Sequence, residues 1–325
     1  MHTITISETD EGQRLDRYLK KFLSSAPLSL IYKICRKDAK VNGQRRQVDY
    51  MMQAGDELTL YLTDDRIGEL SRRKKRARSK RQFGIIYEDD RILVVSKPFG
   101  LLTHGDSVEK KDTLVNQVSG YLLDKGFSAR TFTPSPVNRL DRNTTGIVVF
   151  GKDPKAIRDF SAMIRHGGDV DKYYLTLAAG EITETLDLRG RMVKDEATNT
   201  VRVLPEDSDE GRFTHTVARP VKVFTLRAGE AFTLTEVLLV TGRPHQIRAD
   251  LAAAGHPVIG DRKYGDAAAN RYAERKFSLP AQFLHASRLH VNKGHESLDY
   301  LAGMDFESPL PENLAAIVAA LEGGA

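Results

Sequence analysis

The sequence has only one cysteine, Cys35, among its 325 residues. A single cysteine excludes an intramolecular disulfide and any zinc or iron–sulfur site that needs several cysteines. We therefore expect a protein of the reducing cytoplasm. The first residues lack a basic segment followed by an apolar one, and no apolar run approaches the roughly 20 residues of a membrane span. We expect neither a signal peptide nor a membrane anchor.

Acidic and basic residues nearly balance, with 49 Lys and Arg against 44 Asp and Glu. Eight of the basic residues lie within ten positions, 72–81, where the sequence is RRKKRARSKR. The rest of the chain therefore carries a net charge of −3. Because like charges repel and nothing apolar holds this tract, it is typical of a solvated linker. The same tract can also contact the phosphates of a nucleic acid.

The composition, with 40% hydrophobic and 29% charged residues, is that of an ordinary globular protein. It excludes a disordered or fibrous chain, and the length suggests two domains. We predict a small domain over 1–65, a basic linker over 66–82 and a larger domain over 83–325.

The first 65 residues predict two short helices and a small sheet. Apolar residues between Leu15 and Leu23 recur at helical spacing, and Ser29 is a suitable N-cap for a second helix. Six basic residues accompany the helical pattern: Arg14, Arg17, Lys33, Arg36, Lys37 and Lys40. They form either the solvated face of two amphipathic helices or a positive surface that follows an RNA backbone.

Strand patterns dominate after the basic tract, with helices at irregular intervals among them. Short apolar runs such as 147–150 predict buried strands, whereas GRPHQIRADLAAAGH predicts a helix that begins at Pro244 and ends near Gly255. Strands arrive partly in pairs, and the sequence shows no internal repeat. We therefore predict an α+β fold with mixed, largely antiparallel sheets.

A carboxylate in a polar loop is the first candidate for chemistry. Asp141 lies between Arg139 and Arg142 in NRLDRNTTG, just ahead of a buried strand. On this evidence alone it either serves a site or closes a local turn, with Thr144 as a partner.

An arginine beside the apolar stripe of the predicted helix is the second candidate. Arg248 and His245 are three residues apart and therefore neighbours on the helix. A desolvated charge is costly, so Arg248 needs an acidic partner, for which Asp250 and Asp261 are structural alternatives. His245 has no second ligand at a spacing that suits a metal.

The strand pattern DKYYLTL places Lys172 and Tyr174 on one face and Tyr173 on the other. A tyrosine in a strand is commonly a packing residue. Lys97, at the end of another strand, is typical of a surface lysine.

Taken in order, five stretches resemble the RluA family of pseudouridine synthases. They are IIYEDDRILVVSKPFGLLTH, NRLDRNTTGIVVFGKD, DKYYLTL, TGRPHQIRADLAAAGHPVIGDRKYG and FLHASRL. Near the start, GQRLDRYL, PLSLIYKICRKDAKVNG and GDEL resemble an S4-like RNA-binding domain of α/β type. The whole chain is similar to the C and D types of ribosomal large-subunit pseudouridine synthase.

The chain departs from these family patterns at a few positions. Asn138 stands where His is usual, Pro244 where Thr is usual, and Thr145 where Ser is common. Leu30 stands where Arg often follows the serine, and Asp38-Ala39 replaces a usual Gly. None of the changes at Asn138, Pro244 and Thr145 removes a charge that the chemistry needs, whereas those at Leu30 and Asp38-Ala39 affect single RNA contacts and not the domain as a whole. We expect the change at Asn138 to affect an RNA contact that helps to turn the target base.

The resemblance implies an isomerase that converts uridine to pseudouridine in RNA, most simply large-subunit ribosomal RNA, with no cofactor or metal. Asp141 matches the catalytic aspartate, Tyr174 the active-site tyrosine, and Arg248 the arginine that pairs with the aspartate. Further contacts with the substrate are expected at Arg139, Arg142, Lys172, Ile247 and Leu284. The six basic residues of the N-terminal part are expected RNA contacts. We expect a monomer without membrane association.

Other functions fit parts of the sequence. A non-catalytic RNA-binding or ribosome-assembly factor needs the basic residues, but it does not need Asp141, Tyr174 and Arg248 to converge. A synthase that acts on transfer RNA is a second alternative. A nucleoside or glycoside hydrolase usually needs a second acid near the first, and none flanks Asp141 in the sequence.

Overall fold

The computed structural model of the protein describes residues 1–72, 80–127, 131–198, 200–226 and 230–324. Within these ranges the strands form a small sheet of three strands and a large sheet of eleven. Most of the basic tract, residues 73–79, lies outside the described residues.

The small sheet and three helices surround one apolar core in the first 70 residues. Their bounds are β1 His2–Thr5, α1 Leu15–Phe22, α2 Leu28–Lys37, β2 Ala39–Val41, β3 Glu57–Leu60 and α3 Asp64–Leu70. The strands pair in the order β1-β3-β2, and both pairs are antiparallel. The two helices predicted from the sequence are confirmed, and side chains on them such as Leu19 and Ile31 are fully buried.

Two boundaries in this part differ from the prediction. Helix α2 begins at Leu28, after Pro27, so Ser29 lies in the first turn and not at the N-cap. At the other end, Ile67 and Leu70 of α3 are buried in the same apolar cluster as α1 and α2. The linker that we propose therefore begins after Leu70 and not at residue 66.

The large sheet holds the remaining strands. Their bounds are β4 Gly84–Glu88, β5 Ile92–Lys97, β6 Ser135–Pro136, β7 Thr145–Gly151, β8 Val170–Ala179, β9 Leu186–Asp195, β10 Thr200–Leu204, β11 Arg212–Thr225, β12 Ala231–Leu239, β13 Leu284–Val291 and β14 Asp305–Glu307. The order is β10-β9-β11-β12-β8-β13-β7-β5-β4, with β6 paired to β7 and β14 to β13. Every strand pair of this described sheet is antiparallel except β7 with β13. The predicted α+β class with mixed, largely antiparallel sheets is confirmed.

Helices cover the large sheet and enclose two apolar clusters. Their bounds are α4 Leu114–Asp124, α5 Pro154–His166, α6 Gln246–Ala253, α7 Ala267–Phe277, a 3-10 helix Glu296–Leu301, and α8 Glu312–Glu322. Side chains of α4, α5 and α6 join one cluster, and side chains of α7 and α8 join the other. No helix in the described ranges is long and apolar enough to cross a membrane.

A close contact between β7 and β13 fixes where the Asp141 loop enters the sheet. The two strands pair in parallel at two positions, where His285 faces Thr145 and Ala286 faces Gly146. Gly146 has a φ of +108°, and a Cβ atom there would lie 2.1 Å from the carbonyl oxygen of Ala286. Only glycine fits this approach. The loop that ends at Thr145 therefore meets the sheet beside β13.

Helix α6 begins at Gln246, two residues after the predicted start at Pro244. The reason is His245, whose φ of +55° places it in the left-handed region. A residue other than glycine is uncommon there, and such residues are often found at functional sites.

Candidate active site

The Asp141 loop runs from the end of β6 to the start of β7 and is fixed through its main chain. The Thr103 hydroxyl donates to the carbonyl oxygen of Leu140 at 2.9 Å and accepts from the Leu140 N–H at 3.3 Å. The turn itself is closed by the Thr144 N–H, which donates to the main-chain carbonyl of Asp141. The carboxylate of Asp141 is therefore not used in this turn, and it is 34% exposed.

Lys97 supports the same loop from the protein interior. The sequence had instead predicted a surface position for this lysine. Its side chain is fully buried, and Nζ donates to the carbonyl oxygens of Pro98, Leu101 and Arg142 at 2.8 to 3.0 Å. Burial lowers the pKa of Lys97 to about 7, and the negative charge of Asp141 acts in the opposite direction. Three carbonyl oxygens match the three N–H donors of an ammonium group. Lys97 is thus a buried support of the loop.

Arg248 of α6 joins Asp141 to a second, fully buried acid. Its Nη1 donates to Asp141 Oδ2 at 2.8 Å, while Nε and Nη2 donate to the two carboxylate oxygens of Asp261 at 2.5 and 2.8 Å. Burial by itself raises the pKa of Asp261, but the hydrogen bonds and charge of Arg248 outweigh it and hold that pKa below its usual range. Arg248 therefore pairs with a structural acid, Asp261, and also with the candidate catalytic acid, Asp141.

Tyr174 lies on β8 in the same apolar cluster as Leu140, the residue before Asp141. Its side chain is buried, and burial together with the negative charge of Asp141 raises the pKa of its phenol. The phenol is therefore protonated at neutral pH and can donate a hydrogen bond or stack on a planar base. A role as proton acceptor needs prior loss of its own proton.

The expected apolar residues also lie in this cluster. Ile247 precedes Arg248 on α6, and Leu284 on β13 faces Thr176, two residues along β8 from Tyr174. Side chains two residues apart on a strand point to the same face, so Leu284 and Tyr174 share a face of the sheet. The side chains of Ile247 and Leu284 are each 4% exposed.

The three positively charged side chains that we expect to contact the substrate lie in different surroundings. Arg139 and Arg142 are exposed on the two sides of Asp141 in the loop. Lys172 is partly buried on β8 and lines a small pocket together with Asn138 and Tyr174. The structure therefore brings Asp141, Arg248 and Tyr174 to one place, with positive side chains around them.

The six basic residues of the N-terminal part do not join this cluster. Four are exposed on α1 and α2, namely Arg17, Lys33, Arg36 and Lys37. Arg14 forms an ion pair with Asp16 at 2.9 Å, and Lys40 lies over the ring of Tyr61. The N-terminal part contacts the rest of the chain through Thr131, whose hydroxyl donates to Asp10 and accepts from Gln13 Nε2.

His245 and Tyr264 also belong to the site, although the sequence did not indicate a role for them. His245 Nε2 is 3.9 Å from Asp141 Oδ2, and Nδ1 is 2.9 Å from the Tyr264 hydroxyl. The guanidinium of Arg248 lies 5.2 Å from the centre of the Tyr264 ring. Burial lowers the pKa of His245, which favours a neutral imidazole beside Asp141. The available signal was the three-residue separation of His245 and Arg248 in the predicted helix.

Metal ligands do not cluster at this site. The described ranges contain no group of three His, Cys, Asp or Glu side chains placed to hold a metal ion. The chemical groups at hand are one accessible carboxylate, a guanidinium, two phenols and an imidazole. This set can act on an electrophilic carbon, move a proton and bind an anion.

Asp250 helps to fix α6, and with it Arg248, against β11. The Thr216 hydroxyl donates to Asp250 Oδ2 at 2.6 Å, and Gln246 Nε2 donates to the same hydroxyl oxygen at 2.9 Å. Burial raises the pKa of Asp250 to about 6, with hydrogen bonds from Thr216 and Gln246 acting the other way.

This raised pKa predicts a pH-dependent effect of Asp250→Asn on stability. Between pH 4 and 6 the folded protein holds a proton on Asp250 that the unfolded chain, with a carboxyl pKa near 3.9, has released. Asp250 therefore favours folding below pH 4, and this contribution is lost as the pH rises through 6. We expect the stability of the variant relative to the parent to be greater at pH 7.5 than at pH 4.5, by about 2 kcal/mol. Urea unfolding at both pH values measures it, and an equal difference at both would contradict it.

Comparison with known proteins gives a consistent result. Residues 91–253 match the family model described as RNA pseudouridylate synthase. "Ribosomal large subunit pseudouridine synthase C" of Vibrio vulnificus (strain CMCP6) is 31% identical in an alignment over 330 residues that covers 98% of this chain and 96% of that protein. The protein of that name from Escherichia coli (strain K12) is 31% identical in an alignment over 327 residues that covers 96% of this chain and 93% of that protein.

Two solved human structures resemble the fold. "RNA Pseudouridylate Synthase Domain Containing 4" has a TM-score of 0.56 at 21% identity, with 74% of this chain and 93% of that chain covered. "RNA Pseudouridylate Synthase Domain Containing 1" has a TM-score of 0.52 at 22% identity, with 74% and 95% covered.

Proposed function

Because this chain belongs to the RNA pseudouridylate synthase family, we propose that it isomerises uridines of large-subunit ribosomal RNA with Asp141 as the catalytic carboxylate. The observation that carries this assignment is the contact between Asp141 and Arg248. The carboxylate is accessible, and the guanidinium that pairs with it is fixed by the buried Asp261.

The proposed reaction breaks the bond between ribose C1′ and uracil N1 and forms a bond between C1′ and C5. The base turns between the two steps, N1 gains a proton and C5 loses one, so no electrons are gained or lost. Asp141 can attack C1′ as a nucleophile, or it can remove the C2′ proton to give a glycal intermediate. Both routes use the carboxylate oxygens of Asp141, and Arg248 orients that carboxylate through its hydrogen bond to Oδ2.

The other residues of the site orient and hold the base in this proposal. Tyr174 stacks on the uracil ring, and Ile247 and Leu284 supply an apolar floor. Arg139 and Arg142 contact the RNA backbone where the target nucleotide leaves its stack, which offsets an unstacking cost of a few kcal/mol.

The second acid of the site supports isomerisation over hydrolysis. A hydrolase of glycosidic bonds needs one carboxyl as acid and another as base or nucleophile. Asp261 is fully buried, and both of its oxygens accept hydrogen bonds from Arg248. It is therefore not available to activate water.

Ribosomal RNA is the proposed substrate on two grounds. The similar proteins of Vibrio vulnificus and Escherichia coli carry names that refer to the ribosomal large subunit. The N-terminal part, which we propose to be an S4-like domain, exposes four basic residues on α1 and α2. With the basic linker after Leu70, it would hold folded RNA beside the site of a monomeric cytoplasmic enzyme.

Tritium release tests this function. Large-subunit ribosomal RNA and transfer RNA transcripts labelled with tritium at uracil C5 are incubated with the full chain, and water-soluble tritium and free uracil are measured. We expect tritium release from ribosomal RNA without free uracil. RNA binding without tritium release would instead indicate a binding or assembly factor, and free uracil would indicate a hydrolase. Release from transfer RNA alone would contradict the ribosomal substrate.

Lys172 provides a test of the substrate contacts. Its partly buried ammonium group makes no hydrogen bond or ion pair within the described part of the chain, and burial lowers its pKa. We propose that it contacts an RNA phosphate beside the target uridine. We expect Lys172→Met to weaken RNA binding about tenfold with little change in kcat, and to reduce the salt dependence of binding by about one charge.

Two further variants make this test specific. Lys172→Arg keeps the positive charge and should restore most of the affinity. Lys293→Met removes an exposed lysine next to β13 and should leave the RNA affinity and its salt dependence unchanged. An unaltered affinity and salt slope in Lys172→Met would exclude the phosphate contact.

A further inference from the structure

One edge of β7 has two partner strands with a gap between them. β13 pairs with β7 at 145–146, and β6 pairs with it at 150–151. The Val137 N–H extends the second pairing and donates to the carbonyl oxygen of Val149 at 2.9 Å. The carbonyl of Ile147 and the N–H of Val149 face the same edge, and neither β6 nor β13 lies opposite them.

The side chain of Asn138 fills this gap. Its Oδ1 accepts from the Val149 N–H at 2.9 Å, and its Nδ2 donates to the Ile147 carbonyl at 3.1 Å. A carboxamide carries one acceptor oxygen and an N–H donor side by side, as a peptide group does. Because β7 is buried along its whole length, both main-chain groups would otherwise lack a partner away from water.

This contact lets the main chain leave the sheet while the strand pairing continues through a side chain. The loop is then held at alternate residues: at Asn138 by β7, at Leu140 by Thr103, and at Arg142 by Lys97. Asp141 lies between two of these fixed points and faces Arg248.

We propose that Asn138 is a positioning residue for Asp141: its carboxamide replaces a peptide group in the β7 ladder and sets the place where the catalytic loop begins. The proposal rests on the proposed function, since it concerns the same carboxylate. It assigns the effect of Asn138 to the geometry of the loop. The oxygen and the nitrogen of the amide each bond to β7, which fixes the orientation of the side chain.

The chemistry of the amide predicts a graded series of variants. Asn138→Ala removes both hydrogen bonds, and we expect kcat to fall about 10- to 100-fold at unchanged RNA affinity, as displacement of a reacting group does. Asn138→Asp keeps the acceptor but lacks the donor, and should behave like the alanine variant. Neutral histidine again offers one donor and one acceptor. Asn138→His should therefore retain most of kcat at pH 8 and lose it below about pH 6.5, where the imidazole is protonated.

Asn116→Ala is the matched control. The Asn116 amide also makes two hydrogen bonds to the main chain, but both are donated by Nδ2, to the carbonyls of Lys110 and Lys111 in a loop outside the Asp141 cluster. This variant should leave kcat and its pH profile unchanged. Amide hydrogen exchange at Val149 gives a readout that does not depend on activity, and it should accelerate in Asn138→Ala but not in Asn116→Ala.

The outcomes separate this proposal from the proposed function. An inactive parent protein would overturn the function, while exchange at Val149 would still report on the role of Asn138. An unchanged kcat in Asn138→Ala, or a loss of RNA affinity with kcat retained, would overturn the positioning role. If the alanine variant does not fold, a pH profile of Asn138→His equal to that of the parent would overturn it as well.

Discussion

Replacement of Asp141 by asparagine should abolish pseudouridine formation, with a fall in rate of about 10³-fold or more. An amide neither attacks C1′ nor removes a proton from C2′, so both routes lose their catalytic group. The loop itself should be preserved, because it is held through main-chain atoms by Thr103 and Lys97 and not through the carboxylate. Arg248 keeps its pair of hydrogen bonds to Asp261.

This prediction is measured as single-turnover conversion of uridine in ribosomal RNA, together with RNA affinity and thermal unfolding. RNA affinity should stay within about threefold of the parent. Asp299→Asn, which makes the same change at an exposed position, should keep full activity. Normal turnover by Asp141→Asn would show that another group performs the chemistry.

Replacement of Arg248 by lysine is the second large effect that we expect, with a fall in kcat of about 100-fold. The guanidinium makes three hydrogen bonds to two carboxylates, in directions set by its planar shape. A lysine ammonium is a single charged point, and it cannot serve both Asp141 and Asp261 in this geometry. The variant keeps the net charge, so the loss would come from orientation.

The same substitution should lower stability by about 1–3 kcal/mol, since the buried Asp261 loses at least one charged hydrogen bond. Circular dichroism and urea unfolding would show whether the variant is folded at the assay temperature. Arg158→Lys on the exposed face of α5 is the matched control and should leave kcat and the free energy of unfolding unchanged. A folded Arg248→Lys protein with parental kcat would mean that the pairing with Asp141 has no role in the reaction.

Local patterns predicted parts of this site correctly. The alternation in DKYYLTL predicted a strand with Lys172 and Tyr174 on one face, and the strand is β8, Val170–Ala179. Arg248 borders the apolar stripe of a predicted helix, so we predicted an acidic partner for it, either Asp250 or Asp261. The structure shows that Asp261 is the partner. The family was recognised from five ordered stretches, and the comparisons confirm it.

Other parts depend on distant segments that no local pattern relates. Asp141 and Arg248 are separated by 107 positions, so their contact followed from the family resemblance and not from spacing. Lys97 was expected on the surface, because its position at a strand end does not reveal the three carbonyls that surround its ammonium. The left-handed conformation of His245, which delays the start of α6, is likewise set by its contacts.

The most direct test of the account is a map of pseudouridines in large-subunit ribosomal RNA from cells that lack this protein. We expect specific pseudouridines to disappear, to return on expression of the parent chain, and to stay absent on expression of Asp141→Asn. A complete set of pseudouridines in the deletion strain, or their return with the asparagine variant, would contradict the account.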